Sequence, residues 1–172
     1  MPSVRKRSRK PSSTNTPRLP DPVFFIDADL SGRAFLEVLT RAGIRLERHD
    51  DHFQPGTDDR EWLQQAGRNG WIVVTHNKKI RRTSSQAERL MEAGVRAFML
   101  IGDARPNPPG QRAVFIQELA ENFARSMPQI LRFLRRHEAP WIAKLYRPAP
   151  AERSRPGHIQ MWLTLQAWLK EI

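Results

Sequence analysis

Residues 23–29 read VFFIDAD: four apolar side chains in succession, Val23, Phe24, Phe25 and Ile26, then two aspartates either side of an alanine. Successive side chains of a strand point to opposite faces, so an unbroken apolar run asks for cover on both sides, as in a central strand of a parallel sheet. Asp27 and Asp29 then fall where such a strand emerges, at its carboxyl end. Open α/β sheets place ligands and reacting groups along that edge.

The segments that follow alternate in kind. Residues 30–43 (LSGRAFLEVLTRAG) open on Ser31 as a helix cap, set Phe35, Leu39 and Ala42 on one face, and stop at Gly43. Residues 44–48 alternate Ile44 and Leu46 with charges, which predicts a second, less buried strand. Pro55 and Gly56 mark 49–57 as a loop. Residues 58–67 (DDREWLQQAG) form a short helical pattern on Trp62, Leu63 and Ala66, and 71–75 (WIVVT) a third strand. A basic turn at 77–82 (NKKIRR) leads to a helix over 84–94, with Leu90 and Met91 inward, and a fourth strand over 95–101 (VRAFMLI). A proline-rich connection spans 104–111, and a helical pattern over 112–137 is divided by Pro128. Residues 140–146 (PWIAKLY) read as a last, edge-like strand. Parallel crossovers need covering helices, so this order predicts an α/β three-layer sandwich with a mainly parallel central sheet.

A chain of 172 residues suits one domain with a tail or short appendage. Its formal charge of +11 favours a polyanionic partner. Nucleic acid ranks ahead of membrane, because no long apolar span or lipidation motif is present. Cysteine is absent, which excludes disulfides and thiolate metal sites and fits a cytoplasmic location. Residues 1–20 carry Arg5, Lys6, Arg7, Arg9, Lys10 and Arg18 and no acid, too little apolar surface to order an arm that either solubilises the protein or contacts nucleic acid. The domain proper spans 21–147 and a Pro/Arg-rich linker 148–157. Residues 158–172 form an amphipathic helix on Trp162, Leu165, Trp168, Leu169 and Ile172. That helix packs back on its own domain or, on the other reading, docks on a second subunit of a homodimer or on another partner.

In a parallel sheet, acids distant in sequence converge along one edge. The candidates are Asp27 and Asp29, the pair Asp50 and Asp51, the helix-start group Asp58, Asp59 and Glu61, and Asn77. Hard oxygen ligands of this kind suit Mg²⁺ or Mn²⁺, which bind phosphate oxygens, acidify a water and offset charge on a scissile phosphate. The cations Lys78, Lys79, Arg81 and Arg82 would grip the substrate beside them. Each acid also has a plainer role. Asp58 can cap a helix by accepting from the amide of Glu61, Asp29 can cap the first helix, Asp50 and Asp51 can be solvated, and Glu37 can pair with Arg41. His49, His52 and His76 share no metal-ligand spacing and read as loop residues or phosphate contacts.

FFIDADLSGRAFLEVLTRAGIRLERHDDHF, followed by DDREWLQQAGRNGWIVVTHNKKIRR, resembles the PIN-like nuclease domains of bacteria. The resemblance is to the VapC-type toxin group in particular, in which an acidic strand end, a D-x-E-W helix start and a G-W-V-V-x-T-x-D-x-x-I-R segment recur in this order. It implies a PIN-like fold, an endoribonuclease dependent on Mg²⁺ or Mn²⁺ and a neighbouring antitoxin protein. Carried over, the first acid is Asp27 and the helix-start acids are Asp59 and Glu61, with Asp27 and Asp59 as metal ligands. The acid after the third strand falls at Asn77, a departure that removes a charge. Two other readings stand beside this one. Asp27-Ala28-Asp29 with Thr75 resembles a haloacid-dehalogenase-like phosphatase with Asp27 as nucleophile, although no acid follows Asp103 within 104–111. Asn77 also fits a degenerate PIN-like module that holds RNA or a partner without cutting.

Overall fold

Phe24 and Ile26 join one core and Phe25 the other, and all three side chains are fully buried in the computed structural model, which describes residues 20–77, 84–102 and 112–171. They make up β1 (Phe24–Ile26), the second of six strands in a single sheet. The others are β2 (Leu46–Arg48), β3 (Ile72–Thr75), β4 (Arg96–Ile101), β5 (Trp141–Tyr146) and β6 (His158–Thr164), in the spatial order β2-β1-β3-β4-β5-β6. The first five run parallel and β6 is antiparallel to β5.

One face is covered by α1 (Arg33–Arg41), α5 (Arg112–Arg125) and α6 (Met127–Arg136), which supply Phe35, Leu39, Leu119, Phe123 and Ile130 to the core around Phe24. The other is covered by α3 (Asp59–Asn69), α4 (Ser84–Glu92) and α7 (Leu165–Glu171). There Phe25 stacks on Trp62 and on Trp71, with ring centroids 5.4 Å apart in each case. Each aromatic buried in this way stabilises the fold by roughly 1.5–3 kcal/mol. The expected three-layer α/β sandwich with a mainly parallel sheet is therefore what the chain forms. Among the described residues no helix is long and apolar enough to cross a membrane.

The order of strands fixes where a ligand can enter. From β1 the chain steps outward to β2, then returns to pair β3 on the other side of β1. The crossovers leave β1 in opposite directions, so a crevice opens at the carboxyl ends of β1 and β3. Behind it, Gly67 of α3 lies against the backbone carbonyl of Ala93, just past α4, so closely that a Cβ on residue 67 would collide with it.

Several local expectations are corrected. Ser31 does not cap α1: the N-cap position is Gly32, and the Ser31 hydroxyl donates to the carbonyls of Ile26 and Asp27. Asp29 does not cap it either, since it lies in a short 3₁₀ turn, Ala28–Leu30, without a side-chain cap. Residues 49–52 form a short helix, α2 (His49–His52), within the expected loop. Helix α3 runs on to Asn69 and ends on Gly70, whose φ of 65° suits glycine. Pro128 divides α5 from α6 as expected.

The largest correction is at the end of the chain. Residues 158–164 are not helical but form β6, and only 165–171 are helix. Consequently β5 is an interior strand, not an edge. The register passes from Ile142↔Leu163 to Ala143↔Met161, which makes Trp162 the extra residue of a β-bulge. The bulge lets Trp162 and Leu163 pack on the same core, together with Trp168. Of the expected helical stripe, Trp162 alone lies in β6, while Leu165, Trp168 and Leu169 do lie in helix α7. Trp162 and Trp168 do pack back on their own domain, while Leu165 and Leu169 stay exposed.

Candidate active site at the carboxyl edge of β1 and β3

The backbone amide of Asp27 donates to the carbonyl of Val74 at 3.1 Å, which continues the β1–β3 ladder one step beyond the last residue of β1. This holds the two strand ends in register, so that Asp27 and Thr75 face each other. The Thr75 hydroxyl donates to Asp27 Oδ2 at 2.8 Å and accepts from the amide of Asn77 at 3.1 Å. Thr75 is itself buried, so one hydroxyl orients both the carboxylate and the chain leaving β3.

A cavity of about 240 Å³ opens over these residues, walled by α3 and α4. Asp27, Asp29, Asp59, Thr75 and Asn77 line it, with Gln86 and Arg89 from α4. Helix α3 brings Asp59 because Asp58 starts it: the Asp58 carboxylate accepts from the amide of Arg60 at 2.8 Å, and not from Glu61 as the capping-box spacing suggests. Asp59 accepts from the Trp62 indole at 3.1 Å and stands 3.7 Å from the Arg89 guanidinium. Asn77 donates to Gln86 at 3.4 Å.

The electrostatics centre on Asp27. Burial pushes its carboxyl above the ordinary value of 3.8, the Thr75 hydrogen bond opposes this, and the charges of Asp29 and Asp59 push it higher again. No cationic side chain among the described residues pairs with Asp27. A carboxylate held in place, partly desolvated and facing like charge is electrostatically incomplete.

The donors at hand are all oxygens or amides. Among the described residues no group of three or more His, Cys, Asp or Glu side chains gathers to hold a metal ion. Two carboxylates with neutral oxygens nearby nonetheless fit Mg²⁺ or Mn²⁺, since such ions commonly take one or two carboxylates and fill the remaining positions with water and phosphate oxygens. A soft or structural metal finds no suitable set here.

The sequence-predicted residues divide accordingly. Asp27, Asp59 and Asn77 are brought together; Glu61 is exposed on α3 and does not line the cavity. Asp29 lines it as an exposed residue, whereas Asp50 and Asp51 do not. Lys78, Lys79, Arg81 and Arg82 lie outside the described residues. His49 is no loop residue: it is buried at 5% exposure among Phe25, Phe53 and Trp62 and reaches the cavity wall. Sequence reading missed Gln86 and Arg89. Their i, i+3 spacing on a helix that follows the third strand was the signal that could have found them.

Residues 22–102 match a family model described as a PIN-like domain. That span runs from just before β1 to just past β4 and contains the cavity residues described above. No curated protein and no solved structure matches the chain. The α/β architecture is consistent with a PIN-like fold.

Proposed function

We propose that the protein is an endoribonuclease that cuts RNA phosphodiester bonds with the help of a divalent metal ion. PIN-like domains are commonly nucleases, which supports this reaction class. The observation that carries the reading is Asp27: a fixed, half-buried carboxylate at the crevice of a parallel sheet, with Asp29 and Asp59 adding like charge and, among the described residues, no cation paired with it. A chain of net charge +11 that keeps acids in its cavity suits a polyanionic substrate met through a metal.

Asp27 and Asp59 would hold the ion. Bound Mg²⁺ or Mn²⁺ supplies Lewis acidity, acidifying a water and offsetting charge that develops on the scissile phosphate. Thr75 keeps Asp27 turned into the cavity, Asn77 lines it as a neutral residue, and Arg89 answers part of the charge on Asp59. The finer role, a VapC-type toxin restrained by an antitoxin protein, is supported by the sequence resemblance alone.

The test uses the full chain with Asp27→Ala. Cleavage of a structured RNA is lost while RNA binding is kept or strengthened, because a charge that repels phosphate is gone. In parallel, Mg²⁺ or Mn²⁺ raises the melting temperature of the wild type and not of the variant, as binding to the folded state requires. Undiminished cleavage by Asp27→Ala refutes the assignment.

A further inference from the structure

A second concavity lies at the same edge of the sheet, on the side of β1 away from β3. It has a volume of about 440 Å³ and is lined by Arg33, Arg41 and Glu37 of α1, by Ser31 and by Arg48 at the end of β2. Three arginines face one glutamate, and that glutamate is spoken for: Glu37 receives Arg33 at 2.6 Å and Arg41 at 4.0 Å. The groove therefore keeps a net positive charge.

Arg48 is the informative residue. Its Nε is buried without a hydrogen-bond partner among the described residues, and its only ion pair, with Asp51, is a loose 3.9 Å. A guanidinium offers five donors in a planar fork that matches the oxygens of a phosphate, and burying one of those donors unmet costs free energy. Arg48 thus has no close acceptor among the described residues.

Its position points to the source of that acceptor. Arg48 pairs in register with Ile26, the residue before Asp27, across one strand spacing of about 4.8 Å. Ser31 lines the groove and donates to the carbonyls of Ile26 and Asp27, so the same short turn borders groove and cavity. We propose that this groove is a phosphate subsite that grips the RNA strand beside the point of cleavage, with the exposed end of Arg48, whose side chain is 40% exposed, as the inner contact and Arg41 as the outer one. The proposal rests on the reading of the protein as an RNA-cutting enzyme, and it extends the substrate path across the rim of the sheet from α3 and α4 to α1.

The experiment measures binding of a short single-stranded RNA by fluorescence anisotropy over a range of salt. The full chain carries Asp27→Ala so that no cleavage is needed. Adding Arg41→Gln and Arg48→Gln raises Kd about tenfold and lowers the salt slope by about 1.4, since each single-strand phosphate contact contributes about 0.7. Arg41→Gln alone shows a smaller shift in the same direction, and because its side chain is 81% exposed it leaves the fold intact. Arg68→Gln, exposed at the far end of α3, removes the same charge and changes affinity by less than twofold. Equal losses from Arg68→Gln and Arg41→Gln indicate diffuse attraction and overturn the proposal. So does a double variant that binds RNA normally but no longer binds inorganic phosphate, which assigns the groove to a free anion. A wild type that never cuts RNA, together with a double variant that loses affinity, overturns the nuclease reading and leaves the subsite standing.

Discussion

The cavity between α3 and α4 and the groove beside α1 share one edge of the sheet and carry opposite kinds of incompleteness. In the cavity a carboxylate, Asp27, is oriented by Thr75 and crowded by Asp29 and Asp59, with no cation among the described residues paired with it. In the groove a guanidinium, Arg48, holds a buried donor without an acceptor among the described residues. A fold that only needed stability would pair such groups with each other, because unmet buried charge and donors cost free energy. Their separation across β1 is what the two proposals build on: a cation brought to one side, phosphate oxygens to the other.

The sharpest way to break this comparison is to remove a second acid from the cavity and, separately, one that the cavity excludes. Asp59→Ala lowers RNA cleavage roughly 100-fold, the scale expected for one electrostatic group at a reaction centre. Glu61→Ala, two residues along the same helix, changes it by less than about threefold, as suits an exposed acid outside the reaction centre. Equal losses in single-turnover assays reject the division between the two acids drawn from the geometry.

A smaller effect is expected at Thr75. Thr75→Val keeps the shape but removes the donor to Asp27, destabilising the fold by about 1.5–3 kcal/mol, as for hydrogen bonds to charged groups. Urea denaturation measures this. Because that hydrogen bond holds the Asp27 carboxyl down, the variant moves its titration further upward, which carboxylate NMR detects.

The gentlest test is pH. Asp27 has a folded-state pKa above its unfolded value, so its contribution to stability is fully present below about 3.8, the ordinary value, and is lost as pH rises through the raised one. At neutral pH without metal the ionised form weighs against folding. Asp27→Asn is then the more stable protein near pH 7, and its advantage shrinks on acidification towards the ordinary carboxylate range. Thermal melts of both proteins across that window check the sign.

The parallel half of the molecule was legible because each strand there carries its evidence locally. Val23 to Ile26 are apolar without a break, Trp62, Leu63 and Ala66 keep a helical stripe, and glycines close α1 and α3. The meeting of Asp27 and Asp59 at one cavity followed, since parallel topology sends strand ends to one edge. What failed depended on partners distant in sequence. The bulge at Trp162 exists only opposite Ile142 and Ala143, so in the sequence Trp162 reads as part of the helical stripe that Leu165, Trp168 and Leu169 carry in α7. Glu61 and Asp59 are separated by how α3 turns on its axis, which the packing of Trp62 and Leu63 decides and a motif does not record. Nothing in the sequence singles out Arg48, whose place beside Ile26 comes from the pairing of β2 with β1.

The bare backbone contact at Gly67 gives the protein a hidden adjustment. That position presses on the chain leaving α4, so the gap between the helix bearing Asp59 and the helix bearing Arg89 is set from behind, by the absence of a single methyl group. A larger residue there would act as a wedge driven in at the hinge end of a pair of jaws. It would alter the bite without touching any tooth.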